Sequence, residues 1–304
     1  MDLSIVIVSW NVASYLENCL DSIFQNAPNC SFEVWVVDNA SVDQSVQIIK
    51  ERFPQVHLVE NSQNVGFAEA NNQAIRQSKG RYVLLLNPDT LVHPYALQRL
   101  VDFMNGHVEA GAAGSLYLSP NGKMQHSCMP FPTVSREFWR LFHLDALWHY
   151  GTYNMERWDR QKEHEVESLQ GACLILRRSV LDEVGLLDPD YFMYTEEVDL
   201  CYRIHHKGWK LYWVPQSVIT HFGGQSTRQT AKQMFLWLYR SKIMFIRKHF
   251  GEKKAWEYKQ VIRWASLLRI GIAPFVQLYQ SFTPKDYVKN IENYRELIKQ
   301  LPAM

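Results

Sequence analysis

Hydrophobic positions in the first part of the chain alternate between two spacings. Residues 3–8, LSIVIV, form an unbroken apolar run that predicts a buried strand, and apolar positions from Val12 to Phe24 then recur every three or four residues, as on one helix face. The alternation continues through residues 32–86, where FEVWVVD, VHLVE and RYVLLL predict three further strands separated by two helices. This order predicts an α/β domain with an open, mostly parallel sheet that is covered by helices on both faces.

Polar residues follow each of the four predicted strands. Ligands of parallel α/β sheets bind beyond the carboxyl ends of the strands, so these residues lie at the edge where a ligand is expected. Turn chemistry also places Asn, Asp and Gly at strand ends, and each group taken separately fits an ordinary turn. Taken together they predict a polar crevice. In chain order the residues are Ser9 and Asn11, Asp38 and Asn39, Asn64 and Gly66, and Asn87 and Asp89.

The turn after the first strand argues against two common nucleotide-binding motifs. A dinucleotide-binding G-x-G-x-x-G would stand here, but residues 9–15 read SWNVASY and contain no glycine. The sequence contains no P-loop either. If the ligand carries phosphate, a divalent cation is the expected substitute for these phosphate-binding loops.

The composition is that of a globular protein. Of the 304 residues, 47% are hydrophobic and 21% are charged, which argues against a disordered chain. The five cysteines form no C-x-x-C pair and are odd in number, so a reducing cytoplasm is expected rather than a disulfide framework. The acidic start does not have the form of a signal peptide, and Arg269 and Pro274 interrupt the most apolar C-terminal stretch, so no complete membrane span is predicted.

Six motifs occur in the order found in family 2 glycosyltransferases, which this sequence resembles over residues 3–227. They are VIVSWNVASYLENCLDSI, VVDNASVDQS, NVGFAEANNQAI, LLLNPDT, GACLILRRSVLDEVGLLDPDYFMYTEEVDLCYRIHHKGW and HFGGQS. The likeness is closest to a bacterial branch that includes rhamnosyltransferases and galactofuranosyltransferases. It implies a GT-A fold, a nucleotide-activated sugar donor, a divalent metal and inversion at the anomeric carbon.

The resemblance also implies roles for the residues at the strand ends. Asp38 matches a carboxylate that contacts the nucleoside base, with Ser9 and Asn11 in the same pocket. Asp89 in NPDT matches the family's D-x-D metal motif, in which Asn87 replaces the first aspartate and supplies only a neutral oxygen. The expected cation is Mn²⁺ or Mg²⁺.

Two further residues follow from later motifs. His221 in HFGGQS matches a histidine that completes the metal site in some relatives, although a lone histidine in such a place is more often structural. Gly171 lies in a segment similar to the family's donor-sugar and acceptor segment, at the start of a predicted buried strand. Before it, the aromatic-rich residues 119–167 carry no clear period and are interpreted as an acceptor-side loop.

Residues 194–209, YTEEVDLCYRIHHKGW, predict a helix that begins at a Thr195 cap. Acidic residues in the first turn fit an ordinary helix start, because the macrodipole favours them there. Helical spacing, however, places Glu197 on the inward face, while Asp199 can pair with Arg203 one turn later. The resemblance makes Glu197 the catalytic base. Many relatives have Glu-Asp where this chain has Glu-Glu.

The chain is expected to divide into a GT-A catalytic domain, residues 1–227, and a C-terminal helical region, residues 228–304. Ten Lys or Arg against two Glu between Arg228 and Arg263 give that stretch a charge of +8, in a chain with a net charge of +1. Packing on the catalytic domain explains the apolar faces of these helices. The basic excess predicts contact with an anionic membrane at the inner face of the plasma membrane. No nucleic-acid motif accompanies the charge, so no nucleic-acid partner is expected.

These features predict a metal-dependent, inverting glycosyltransferase of bacterial surface or cell-wall polysaccharide synthesis. The expected donor is dTDP-rhamnose, and the acceptor is a glycan or a lipid-linked saccharide. Transfer of a galactofuranosyl or other hexosyl group from a UDP-sugar is an alternative. A catalytically silent sugar-nucleotide- or glycan-binding protein is an alternative of another class, since Asn87 and Glu197 both depart from the family pattern.

Overall fold

Two groups of residues make up the computed structural model, which describes residues 1–225, 230–279 and 285–304. Unit 1 consists of Met1–Phe131 and Asn154–Gln229, and unit 2 of Pro132–Tyr153 and Thr230–Met304. Part of the aperiodic segment therefore belongs with the C-terminal helices. The predicted domain boundary between residues 227 and 228 lies outside the described residues, and that division stays a proposal.

The secondary structure of unit 1 alternates as the sequence predicts. Its strands are β1 (Leu3–Ser9), β2 (Phe32–Asp38), β3 (His57–Glu60), β4 (Tyr82–Leu86), β5 (Thr90–Val92), β6 (Ala110–Leu118), β7 (Met124–Gln125), β8 (Cys128–Met129), β9 (His164–Glu165), β10 (Ser168–Leu169), β11 (Cys173–Arg177) and β12 (Lys210–His221). Its α-helices are α1 (Ala13–Gln25), α2 (Ser45–Arg52), α3 (Phe67–Gln77), α4 (Ala96–Gly106), α6 (Arg178–Val184) and α7 (Glu196–His206), with a 3-10 turn at Met155–Arg157.

The central sheet has the strand order β3-β2-β1-β4-β11-β6-β12-β5. The four strands predicted from the sequence, β1 to β4, pair in parallel. Strand β11 runs antiparallel between β4 and β6, whereas β12 is parallel to β6. The predicted GT-A fold with a mostly parallel sheet is therefore confirmed.

The core of unit 1 forms because the sheet is covered. All seven residues of β1 are buried, as expected for a strand with helices over both faces. Its residues Leu3, Ile5 and Ile7 pack in one cluster with Leu16 and Leu20 of α1. Burying one such side chain contributes about 1.5–3 kcal/mol to the stability of the unit.

Two strands of the sheet have no clear sequence signal. Strand β6 reads AGAAGSLYL, and its small residues lack the β-branched and aromatic side chains typical of strands. Strand β12 contains Pro215, which argues against a regular strand, but its pairing with β6 shifts register between Val214 and Val218. A register irregularity is where a strand tolerates proline.

Unit 2 is helical. It contains α5 (Val134–Leu141), α8 (Ala231–Phe250), α9 (Glu252–Tyr279) and α10 (Lys285–Gln300), with 3-10 turns at Leu144–Ala146 and Leu301–Ala303. The two helices predicted after residue 228 correspond to α8 and α9. No helix among the described residues is both long enough and apolar enough to cross a bilayer.

A buried polar cluster joins three helices of unit 2. Glu137 of α5 is 4% exposed and accepts hydrogen bonds from Lys242 of α8 at 3.2 Å and from the Tyr258 hydroxyl of α9 at 2.8 Å. Arg140 donates a further bond to the same carboxylate at 2.6 Å. Because a buried charge is stable only when paired, these contacts explain why residues 132–153 pack with the C-terminal helices.

Candidate active site

The carboxyl ends of β1 and β2 lie side by side. Ser9 and Asp38 are register partners in the parallel pair, and the Asn39 backbone N–H donates to the Ser9 carbonyl at 2.8 Å. Asn11 follows with a left-handed backbone, φ 52°, and its side-chain oxygen accepts a hydrogen bond from the Val42 N–H at 2.8 Å. Four of the residues predicted to bind the donor, Ser9, Asn11, Asp38 and Asn39, are thus held in one corner of the sheet.

Several buried oxygens at this edge have no hydrogen-bond partner. Among the described residues, ten buried side-chain N or O atoms lack a partner, and five of them belong to this part of unit 1. They are Ser9 Oγ, Asp38 Oδ1, Asn87 Oδ1, Glu196 Oε2 and Glu197 Oε2. Leaving such an atom unpaired costs about 1–3 kcal/mol, so their concentration at one sheet edge indicates a place where a polar ligand binds.

The side-chain amides of Asn39 and Asn64, unlike these unpaired oxygens, form hydrogen bonds within the protein. Asn39 donates to Asn64 Oδ1 at 3.0 Å and to the Gly66 carbonyl at 3.2 Å, and its oxygen accepts from Asn61 and from the Val65 N–H. Both donors and both acceptor positions of Asn39 are therefore occupied. These hydrogen bonds hold the loops that follow β2 and β3. Contact of Asn39 or Asn64 with a donor stays a prediction.

Gly66 is required by its surroundings. Its φ is +86°, and a Cβ at this position would lie 2.7 Å from the Phe192 carbonyl oxygen. The adjacent Phe67 N–H donates to the same oxygen at 2.8 Å. Only glycine accepts both the left-handed conformation and the close approach, so this contact ties the start of α3 to the segment before α7.

Asp89 and His221 meet at the end of the sheet. Asp89 is 6% exposed, and its Oδ1 lies 3.6 Å from His221 Nε2. That distance is long for a hydrogen bond, but two ligand atoms that each lie about 2.1 Å from one cation are separated by about 3–4 Å. One carboxylate and one imidazole suit Mn²⁺, with phosphate oxygens as further ligands. The described residues contain no group of three or more His, Cys, Asp or Glu that could hold a metal alone.

Gln125 fixes the orientation of His221. Its Nε2 donates to the His221 carbonyl at 2.7 Å and to Ser119 Oγ at 3.1 Å, which leaves its Oε1 as the acceptor for His221 Nδ1 at 3.0 Å. In the neutral imidazole the lone pair is then on Nε2, the nitrogen that faces Asp89. No sequence signal points to Gln125, because it lies in a two-residue strand and in none of the motifs.

A polar cavity of about 380 Å³ opens at the start of α1. Ligand sites commonly measure about 300–1,000 Å³, so this cavity can accept part of a nucleotide. One residue of its lining, Gln225, contacts Asp89, because the Gln225 N–H lies 3.4 Å from Asp89 Oδ2. In the same segment the Phe222 N–H donates to the Asp89 carbonyl at 3.0 Å. The cavity is lined by residues that include Asn11, Tyr15, Asp43, Gln44 and Gln225.

The chain enters α7 through a strained backbone. Tyr194 and Thr195 have φ values of 67° and 73°, a left-handed conformation that costs non-glycine residues about 1–3 kcal/mol each. Thr195 does stand at the N-cap position, but its side chain makes no capping hydrogen bond. The expected side-chain cap is therefore wrong, because capping residues need an extended backbone. Strain of this kind clusters at functional sites.

Glu197 lies in the first turn of α7, beside Gly171. A Cβ on Gly171 would lie 3.6 Å from the Glu197 Cβ, an ordinary van der Waals contact, so the two residues are neighbours. The Asn87 N–H donates to the Ala172 carbonyl at 3.0 Å, which places Asn87 next to the same segment. The predicted pairing of Asp199 with Arg203 is present, with Arg203 Nε at 2.8 Å from Asp199 Oδ2.

Burial changes the acidity of the two glutamates. Desolvation raises the pKa of Glu197 to about 7, although backbone N–H groups at the helix start oppose the shift. Glu196, which is 4% exposed, has its pKa raised well above the ordinary value, first by burial and then by the charge of Glu197. A carboxyl group that titrates near neutrality suits a general base, because it is both ionised and basic at a working pH near 7. The helical spacing in the sequence does not predict the burial of Glu196.

Sequence comparison decides the family of the chain. A family model described as glycosyltransferase like family 2 matches residues 2–240. The chain is a family 2 glycosyltransferase. This enzyme is 30% identical to the N-acetylglucosaminyl-diphospho-decaprenol L-rhamnosyltransferase of Mycobacterium tuberculosis over 277 residues, which cover 86% of this chain and 88% of that protein. It is 23% identical to the rhamnosyltransferase WbbL of Escherichia coli over 250 residues, 80% of this chain and 91% of that protein.

Solved structures agree on the fold of the glycosyltransferase. The mannosyltransferase PcManGT from Pyrobaculum calidifontis, in complex with GDP-Man and Mn²⁺, superposes with a TM-score of 0.61 at 18% identity, over 97% of this chain and 84% of that one. Residues 1–349 of TarS from Staphylococcus aureus give a TM-score of 0.53 at 16% identity, over 100% of this chain and 92% of that one. The predicted family and GT-A fold are confirmed, and sugar transfer is the activity of the chain.

Proposed function

We propose that this glycosyltransferase transfers rhamnose from dTDP-rhamnose to a lipid-linked saccharide in polysaccharide synthesis, with inversion and with a divalent cation. The observation that carries the proposal is the half-buried Glu197, whose pKa is raised to about 7, in the same unit as the Asp89–His221 pair. The names of the relatives in Mycobacterium tuberculosis and Escherichia coli support the sugar, and the first also supports a lipid-linked acceptor.

Each part of the site has one task in this mechanism. The unpaired oxygens of Ser9 and Asp38 and the neighbouring cavity offer hydrogen-bond acceptors to the nucleoside. Asp89 and His221 would hold the cation, with the His221 ring oriented by Gln125. A bound divalent cation offsets the negative charge that develops on the departing diphosphate.

Glu197 moves the proton. The acceptor hydroxyl attacks the anomeric carbon from the face opposite the diphosphate, a new C–O bond forms as the bond to the diphosphate oxygen breaks, and the carboxylate of Glu197 takes the hydroxyl proton. Such a base typically contributes about 10²–10⁴-fold in rate. Attack from the opposite face inverts the configuration. The Glu197 side chain, which is one methylene longer than that of Asp, lies beside Gly171.

Direct transfer assays test the proposal. The enzyme is incubated with dTDP-rhamnose, with UDP-hexoses or with UDP-galactofuranose, a polyprenyl-diphosphate-linked N-acetylglucosamine acceptor, and either Mn²⁺ or EDTA. We expect product only with dTDP-rhamnose and Mn²⁺, and an inverted anomeric configuration by NMR. Turnover of a UDP-sugar instead, undiminished turnover in EDTA, or retention of configuration would each contradict the corresponding part of the proposal.

The acceptor also implies a location. A lipid-linked saccharide is confined to a membrane, so an enzyme that uses it has to work at the membrane surface. The basic stretch between Arg228 and Arg263 supports the further proposal that this surface is anionic and is the inner face of the plasma membrane.

A further inference from the structure

Helix α9 is apolar on two opposite faces. One face packs into unit 2 through Ala255, Tyr258, Ile262, Ala265 and Ala273, all of which are buried. The other face carries five large apolar side chains that are exposed. We name these five the α9 stripe, and they are Trp256, Trp264, Leu267, Leu268 and Ile272. At 100° per residue the centre of the stripe lies about opposite the centre of the packed face.

The exposure of the α9 stripe is large. Trp256 is 62% exposed and Trp264 is 64% exposed. Tryptophan is a large side chain that usually buries most of its surface in a core or an interface. Ten of the fourteen large apolar side chains that are exposed among the described residues belong to unit 2. Unit 2 holds only about a third of the chain, so this apolar surface is concentrated rather than scattered.

Basic residues accompany the stripe. Lys253, Lys254, Lys259 and Arg263 stand in the same part of α9, against Glu252 and Glu257. Of these acids, Glu252 pairs with Arg247 of α8 at 2.9 Å and Glu257 with Lys254 at 2.7 Å. The surface around the stripe is therefore cationic. Two copies of such a surface repel one another, whereas anionic headgroups complement it.

The aromatic content of the stripe also favours a lipid partner. Tryptophan is enriched at the level of the lipid headgroups, where its ring meets acyl chains and its N–H meets water. A helix with Trp and Leu on one face and Lys and Arg beside them is typical of helices that lie in the plane of a membrane interface.

We propose that the α9 stripe inserts into the headgroup region of an anionic bilayer, with the neighbouring Lys and Arg on the lipid phosphates. The inference deepens the proposed function, because it gives the surface through which the enzyme meets a membrane-bound acceptor. The binding itself can be measured without any turnover, so the two proposals can fail separately.

Vesicle sedimentation of the full chain tests the proposal. Vesicles of phosphatidylcholine alone are compared with vesicles that also contain phosphatidylglycerol, at low and high salt. We expect the wild type to bind the anionic vesicles, to bind neutral ones less, and to retain part of its binding at high salt, because apolar insertion is not screened. Failure of the wild type to bind anionic vesicles would overturn the proposal.

Substitutions test whether the side chains of the α9 stripe themselves bind the vesicles. The double variant Trp256→Ser/Trp264→Ser removes exposed side chains and should leave the fold intact, while its vesicle affinity falls by about tenfold or more per tryptophan. Val108→Ser removes an apolar side chain of similar exposure in unit 1 and is the matched control, with unchanged affinity expected. Equal affinity of the double variant and the wild type would overturn the role of the stripe.

Two further measurements test whether the α9 stripe binds a second copy of the chain and whether vesicle binding depends on the active site. Light scattering measures the mass of the wild type and the double variant, and a wild-type dimer that the double variant abolishes would assign the stripe to a second copy of the chain instead. The vesicle assay is repeated with Glu197→Gln, whose transfer activity is expected to be low. Wild-type vesicle binding by this variant would show that the surface acts independently of the site, and loss of binding would contradict the proposal.

Discussion

The residues at the strand ends differ in the oxygens that they leave free. Asn39 uses all its hydrogen-bonding positions internally, while Asp38 keeps one oxygen unpaired. The residue types at these positions are predictable, because turn-forming polar residues follow each apolar run, but the free oxygens are not. That difference depends on loop geometry between residues distant in the sequence.

Gln125 is the residue whose importance depends most on the structure. Gln125→Met removes the acceptor for His221 Nδ1, so the ring and its tautomer are no longer fixed, and we expect Mn²⁺-dependent binding of dTDP to weaken by about 10–100-fold. Binding of dTDP without metal should not change. Calorimetry of dTDP with and without Mn²⁺ measures both.

Two variants make this measurement specific for orientation. Gln125→Glu keeps an acceptor for Nδ1 and should retain more of the Mn²⁺-dependent affinity than Gln125→Met. Gln47→Met changes an exposed glutamine of α2 and should behave as the wild type. Identical Mn²⁺ dependence in Gln125→Met and the wild type would show that Gln125 does not act through His221.

The raised pKa of Glu197 gives the enzyme a predictable pH dependence. Only the ionised carboxylate accepts a proton, so kcat/KM should rise as the pH increases through about 7 and then level off. Burial raises this pKa above the ordinary value, so in the folded state the ionised form is destabilised. Glu197→Gln should therefore be more stable than the wild type above pH 7, and the difference should disappear below about pH 4.5.

Transfer assays and urea unfolding at several pH values measure the two effects. A kcat/KM that is constant between pH 5.5 and 8 would contradict the assignment of Glu197 as a base that titrates near 7. A wild type more stable than Glu197→Gln at pH 8 would contradict the desolvation that raises the pKa.

Strands and helices with a strong hydrophobic pattern are predictable from the sequence. Those that form only because neighbouring elements pack against them are not. Strand β2 matches its predicted range, residues 32–38, because its apolar run is long and bounded by polar residues. Strand β6 consists mostly of Ala, Gly and Ser, and β12 contains Pro215, so neither has a local strand signal. Both form because the sheet supplies partners on each side. The sequence predicts a loop where α5 forms, because the packing of α5 depends on the C-terminal helices.

The buried Glu137 cluster should decide the stability of unit 2. Glu137→Leu leaves Lys242 buried without its partner, and breaking such a pair typically costs about 3–5 kcal/mol. The double variant Glu137→Leu/Lys242→Met also removes the buried Lys242 charge and should recover part of that loss, because Arg140 and Tyr258 still lack their partner. Urea unfolding followed by far-UV circular dichroism measures the free energies of unfolding.

An exposed ion pair of the same unit is the control for this experiment. Glu252 pairs with Arg247, but its side chain is 78% exposed, so Glu252→Gln should change the free energy of unfolding by no more than about 1 kcal/mol. If Glu137→Leu were equally mild, the cluster would not hold the helices of unit 2 together.

At the scale of the whole molecule, the structure distributes its functional features over two units. The polar strand ends and the raised carboxyl pKa values belong to unit 1, and the concentrated exposed apolar side chains belong to unit 2. The charge of +8 between Arg228 and Arg263 could be counted in the sequence. The sequence does not distinguish the α9 stripe from the core positions of α9, because both faces of this helix carry apolar residues.

The most direct test of the central claim is the rate of sugar transfer by Glu197→Gln at saturating donor and acceptor. The amide keeps the shape of the side chain but cannot accept the proton, so we expect transfer to fall by about 100-fold or more while affinity for the donor nucleotide stays unchanged. Glu51→Gln, at an exposed carboxylate of α2, should retain full activity. Wild-type turnover by Glu197→Gln would contradict the account, and the base would have to be sought elsewhere.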